Sequence, residues 1–149
     1  MIHSVNPYLI FEGNGKEAAL FYEEVLGAER IGMQMMSELP QSEYGPFCDG
    51  EDQLLHAHLR IGQTDLMLTD GQPGERLAVG NNVTVAVAAD DREEARQLFD
   101  RLAEGGEELM ALQETFFSPA YGQVTDRYGV TWHVSTHAQK EESIDEVNL

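Results

Sequence analysis

Seventy-seven residues separate Glu17, Ala18, Phe21, Tyr22 and Val25 from Glu94, Ala95, Leu98, Phe99 and Leu102, and both sets read as one face of a helix. The flanks repeat with them. Val5 to Phe11 is an apolar, aromatic strand closed by Glu12-Gly13-Asn14-Gly15, and Asn82 to Ala89 is a strand that runs into Asp90-Asp91. Asn14 and Asp91 stand where helix caps belong, each with a glutamate (Glu17, Glu94) three residues on as a capping-box partner. Gly27 is placed to end the first helix in a left-handed conformation, and Gly105-Gly106 ends the second.

Three strands are expected after each helix. In the first half these are Glu29 to Ser37 and the pair Leu54–Ile61 and Thr64–Thr69, a hairpin across Gly62-Gln63. In the second half they are Leu109 to Phe116, Tyr121 to Asp126 and Val130 to Thr136. Residues 38–53 form a long polar loop, residues 70–75 a loop or linker, and the polar, acidic residues 138–149 a disordered tail. The order strand, helix, three strands therefore occurs twice. The expected class is α+β, with one domain at 1–137 made of a module at 1–72 and a module at 80–137. Each module offers a small sheet with a helix on one face, so two modules side by side would enclose a cleft between curved sheets.

Charge removes some partners. Nine Lys and Arg face 27 Asp and Glu, a formal net charge of −18, which repels nucleic-acid phosphates and anionic lipid headgroups. No apolar run approaches the roughly 20 residues of a membrane helix, and no basic, then apolar, leader opens the chain, so a cytoplasmic protein with neither nucleic-acid nor membrane partners is expected. Cys48 is the single cysteine. It lies beside Asp49, whose charge disfavours the thiolate, so Cys48 is read as incidental.

The segments VNPYLIFEGNGKEAALFYEEVLGAE, HAHLRIGQTDLMLTDG, GNNVTVAVAADDREEARQLFDRLAEGG and LQETFFSPAYGQVTDRYGVTWHV resemble the PhnB-like branch of the vicinal-oxygen-chelate (glyoxalase/bleomycin-resistance/dioxygenase) superfamily. The resemblance runs from about Val5 to Val134. It implies paired βαβββ modules, a homodimer, and a small-molecule ligand in the cleft. It leaves the activity open, since members include lyases, dioxygenases, thiol transferases and proteins that only bind a drug. Metal-dependent members hold a divalent ion with a His or carboxylate on the first and last strand of each module. Carried onto this chain, those points fall at Pro7, Met67, Asn82 and His133. Proline has no donor, a thioether suits hard ions poorly, and an amide is a weak ligand, so no metal and no cofactor are expected there.

Two alternatives remain. His56 and His58 have the spacing that puts both on one strand face, opposite Thr69 and Met67 if Gly62-Gln63 is a two-residue turn. With His133 they offer a different ligand set for a metal-dependent lyase, dioxygenase or transferase. Asp126 and His133 would form a carboxylate-oriented base if the last hairpin turns tightly at Gly129-Val130; a turn over Asp126 to Gly129 would separate them. The expected ligand-binding residues are Tyr8 (neighbour of Pro7), His56, His58, Met67, Gln113, Phe117 and His133. Trp132 alternates with His133 and is expected beneath the helix, and Met33 and Met35 share one face of their strand. A non-catalytic drug- or metabolite-binding protein, suited by its acidity to a cation, satisfies the same residues.

Overall fold

The computed structural model describes residues 1–40, 52–71 and 76–136. Cys48, most of the polar loop, residues 72–75 of the linker and the 138–149 tail lie outside the described residues. The chain divides into two compact units, Met1–Ala78 and Val79–Leu149.

The first unit runs β1 (Tyr8–Phe11), α1 (Gly15–Leu26), β2 (Glu29–Met35), β3 (Leu54–Ile61) and β4 (Thr64–Asp70). A single 3₁₀ turn, Met36–Glu38, replaces the end of the longer strand expected to Ser37. The sheet order is β1-β4-β3-β2, with β1 parallel to β4 and the other neighbours antiparallel. The second unit repeats this arrangement: β5 (Val85–Ala89), α2 (Arg92–Ala103), β6 (Glu107–Thr115), β7 (Ser118–Thr125) and β8 (Thr131–Thr136), in the order β5-β8-β7-β6, with β5 parallel to β8. The α+β class and the two βαβββ modules are thus both present. Asn82 falls three residues before β5, outside the strand in which it was expected.

Period-two alternation sets each sheet's two faces. In β7 and β8 every second residue is buried, and Trp132 (2% exposed), Val134 and Val124 lie on the same side as Phe99 and Leu102 of α2. In the first unit Leu66, Leu68, Ala57 and Leu59 are buried with Ala18 and Tyr22 of α1. Each such apolar side chain contributes about 1.5–3 kcal/mol on full burial. Trp132 is therefore on the helix side, as its parity with respect to His133 required. Met33 pairs with buried Ala57, which puts it on the core side of β2.

The β3–β4 hairpin turns through Gly62 (φ 61°) and Gln63, pairing Ile61 with Thr64 and His58 with Met67. Gly27 closes α1 at φ 64°, its N–H donating to the Glu23 carbonyl. Asp91 caps α2 by accepting from the Glu94 N–H at 2.8 Å. Asn14 makes no side-chain cap. Asp70, at the end of β4, does that work from the sheet: its Oδ1 accepts from the Gly13 and Gly15 N–H groups (2.8 and 2.9 Å), and its Oδ2 from the Leu54 N–H at 2.8 Å. Asp70 is 5% exposed and ends β4 one residue beyond the expected Thr69, where its buried carboxylate satisfies three backbone donors.

Candidate functional site

In each unit the helix covers one sheet face and leaves the other to the alternate side chains. In the first unit that uncovered face carries Tyr8 and Ile10 from β1, Asp65, Met67 and Thr69 from β4, and His56 and His58 from β3. Tyr8 stands opposite Met67 in the parallel ladder, so the β1 side chain that joins this face is Tyr8; Pro7 points the other way by parity, and its carbonyl accepts the Met67 N–H. The Tyr8 hydroxyl lies 3.1 Å from Nδ1 of His56, with the rings edge to face. His56 and His58 are also edge to face, their centroids 6.5 Å apart.

His58 meets a carboxylate. Its Nε2 approaches Asp65 Oδ2 at 3.3 Å, without the alignment of a full hydrogen bond. Asp65 Oδ1 accepts from Arg60 Nε at 2.9 Å. That hydrogen bond, ahead of the contribution from His58, holds the Asp65 carboxyl below its ordinary value of 3.8. The carboxylate–histidine pair expected between strands of the second half is therefore found in the first, on residues separated by one hairpin turn.

On the corresponding face of the second unit stand Tyr121 and Gln123 of β7 and His133 of β8, with Gln123 directly opposite His133. The Tyr121 hydroxyl is 2.6 Å from His133 Nδ1, and Gln123 Nε2 donates to that hydroxyl at 3.1 Å. Phe117, in the turn between β6 and β7, lies edge to face with Tyr121 at 4.9 Å. Gln113 is exposed, pairs with Tyr121, and donates to the Ala111 carbonyl. It also lines a surface groove of about 350 Å³ with Arg92, Glu93 and Arg96 at the start of α2.

Asp126 does not join His133. The last hairpin pairs Thr125 with Thr131, leaving five residues in the turn, and this longer turn separates the two. Asp126 is 3% exposed and accepts from the Trp132 indole at 2.8 Å and from the backbone N–H groups of Tyr128 and Val130. It is a structural carboxylate on the opposite side of the strand from His133.

Strand pairing also fixes which side chains stand at the positions considered for a divalent ion. The parallel ladders place Tyr8 opposite Met67 and Ala86 opposite His133. Ala86, not Asn82, is thus the second-unit counterpart of Tyr8. The side chains at these positions are a phenol and a thioether in the first unit and a methyl group and an imidazole in the second. Among the described residues, no three His, Cys, Asp or Glu side chains gather closely enough to hold an ion. His56 and His58 belong to the first unit and His133 to the second.

Sequence reasoning missed Tyr121, Gln123 and Asp65. The signal for the first two was available: a five-residue turn after Thr125 puts Gln123 opposite His133, and Tyr121 shares its parity. For Asp65 it was the two-residue Gly62-Gln63 turn, which pairs Asp65 with Arg60 one step from His58 and Met67.

Residues 3–135 match the family described as 3-demethylubiquinone-9 3-methyltransferase. The chain is 33% identical over 143 residues to Protein YjdN of Escherichia coli, a match covering 91% of this chain and 97% of that one. The crystal structure of protein PA1353 from Pseudomonas aeruginosa superposes with a TM-score of 0.82 at 34% identity, covering 91% of this chain and 98% of that one. A Bacillus cereus protein described as a putative 3-demethylubiquinone-9 3-methyltransferase, PhnB protein, shares the fold with a TM-score of 0.75 at 24% identity, covering 90% and 99% of the two chains. These matches show that the chain belongs to the family described as 3-demethylubiquinone-9 3-methyltransferase, and that its doubled βαβββ arrangement is the fold of the PhnB protein from Bacillus cereus.

Proposed function

We propose that the chain binds a small molecule on the sheet faces its helices leave uncovered, without a divalent ion at the positions used by metal-dependent relatives. One observation carries this reading: each of those faces bears a hydrogen-bonded tyrosine–histidine pair, Tyr8–His56 in one unit and Tyr121–His133 in the other. Buried polar side chains mostly serve the backbone; these pairs instead present aromatic rings and nitrogen atoms on partly exposed surface. Apolar bodies with a few fixed polar groups are the usual make-up of a ligand site. Met67 and His58 extend the first-unit face, Phe117 extends the second-unit face, and Gln113 stands at the edge of the second. The inferred ligand-binding domain spans 1–137, acts as a homodimer, and works in the cytoplasm.

The test is a ligand screen by NMR on full-length protein purified without a histidine tag, in the presence and absence of EDTA. Perturbations should fall on Tyr8, His56, Met67, Tyr121 and His133 and be unchanged by the chelator. Perturbations confined to the outer helical faces would overturn the site. Binding that disappears with EDTA and returns with manganese, iron(II), nickel or zinc would overturn its metal independence. The screen includes S-adenosylmethionine, because the family's description names a methyl transfer; a methylated product would extend the reading from binding to that chemistry.

A further inference from the structure

The direction of the hydrogen bonds around His133 has a chemical consequence. The side-chain nitrogen of Gln123 carries only donors, so its 3.1 Å contact uses the Tyr121 hydroxyl oxygen as acceptor. The phenolic oxygen has a second lone pair, but the other contact, 2.6 Å to His133 Nδ1, is shorter than the usual N–H···O range and within that of an O–H donor, which assigns it the phenolic proton. An Nδ1 that accepts carries no proton, so the neutral imidazole carries its proton on Nε2. The three side chains form one directed relay, Gln123 to Tyr121 to His133. In the first unit the Tyr8–His56 contact is longer, at 3.1 Å, and among the described residues Tyr8 has no second side-chain hydrogen bond that would set its direction.

We infer that Tyr121 and Gln123 are positioning residues that fix His133 as the Nε2–H tautomer, so that this face offers its ligand a hydrogen-bond donor and selects a neutral carbonyl-type acceptor. The inference rests on the small-molecule reading above and names the ligand chemistry of its second-unit half. The donor is set by the relay. Neutrality follows from the formal charge of −18, which opposes binding of carboxylates and phosphates. The edge-on rings of Phe117 and Tyr121, 4.9 Å apart, supply an apolar wall beside the donor. A cation elsewhere on the same ligand is compatible with the charge.

Two measurements on full-length protein labelled with ¹⁵N-histidine test this. The first reads the tautomer from long-range ¹H–¹⁵N correlations. His133 should show an unprotonated Nδ1 and a protonated Nε2. Tyr121→Phe should convert it to a mixture of tautomers, and Gln123→Leu should move it in the same direction by less. A wild-type His133 protonated on Nδ1, or a tautomer unchanged by Tyr121→Phe, overturns the inference. The second titrates two neutral-pH probes, N,N-dimethylacetamide, which only accepts, and propylammonium, which only donates. Dimethylacetamide should shift His133 Nε2, and Tyr121→Phe should weaken it by the fraction of the Nε2–H tautomer lost, about twofold for an even mixture. Preference for propylammonium at His133, or no response of Nε2 to dimethylacetamide, overturns the ligand class. Either failure is distinct from failure of the site itself, which appears as ligand perturbations on the helical faces with the His133 tautomer as described.

Discussion

The buried carboxylate of Asp126 accepts the indole N–H of Trp132 at 2.8 Å, tying the first residue of a turn to the largest side chain of the second core. Its other oxygen accepts from two backbone N–H groups inside the same turn. One side chain therefore sets both the length of the β7–β8 turn and the seat of the tryptophan. That length puts Gln123, rather than Asp126, across from His133.

Asp126→Asn should destabilise the protein by about 1–3 kcal/mol, the range for a buried donor left without its acceptor. An amide has a single acceptor oxygen, so in either orientation its NH₂ faces the indole N–H or the two backbone donors. Urea unfolding followed by tryptophan fluorescence checks this, and Trp132 is the only tryptophan, so the signal reports this contact.

Asp70→Ala should cost about 2–4 kcal/mol, because it removes a charged acceptor from three backbone donors at once, two at the start of α1 and one at the start of β3. Amide exchange should accelerate first at Gly13, Gly15 and Leu54. Asn14→Ala, by contrast, should change stability by less than about 0.5 kcal/mol, because Asn14 makes no side-chain cap to lose.

Gly122→Ala should destabilise by about 1–3 kcal/mol through overpacking. A Cβ there would meet Phe99 Cε2 at 2.7 Å and the backbone of Leu112 and Met110 at 3.0 Å, and the backbone atoms cannot swing aside. The first unit has Ala57 at the corresponding place on β3, which pairs with Leu68 as Gly122 pairs with Val134. The smaller Tyr22→Phe99 exchange in helix packing thus does not relieve the second unit. Thermal unfolding of the two variants Gly122→Ala and Ala57→Gly should both fall below wild type, the first from crowding and the second from a lost methyl group.

Asp65 should titrate below 3.8, chiefly because Arg60 hydrogen-bonds its charged form. A folded-state value below the unfolded one means that the contribution to stability is complete above the unfolded value and is lost as pH falls through the lowered one. Stability measured between about pH 5 and 2 should therefore fall less steeply in Asp65→Asn than in wild type. Arg60→Gln should move the Asp65 carboxyl ¹³C midpoint up toward its ordinary value. No movement would mean that the Arg60 contact does not persist in solution.

The doubled module was legible in the sequence because helix faces, caps and strand alternation are local patterns. Ala18, Tyr22, Ala95 and Phe99 repeat at helical spacing, and all four are core residues. The Gly62-Gln63 turn fixed the β3–β4 register in the same way, placing His58 opposite Met67. Helix capping by Asp70 was not legible, because its partners at Gly13 and Gly15 lie more than fifty residues away and only the parallel β1–β4 ladder brings them together.

The amino-acid order alone determined the two βαβββ units and the core faces, since each depends on residue type and short-range period. Tertiary structure alone decided which polar side chains meet. A five-residue turn sent Asp126 to Trp132, and strand pairing delivered Tyr121 and Gln123 to His133. The physical reason is that a hydrogen bond depends on ångström-scale placement across strands, and one residue more or less in a turn moves every side chain of the strand to the opposite face.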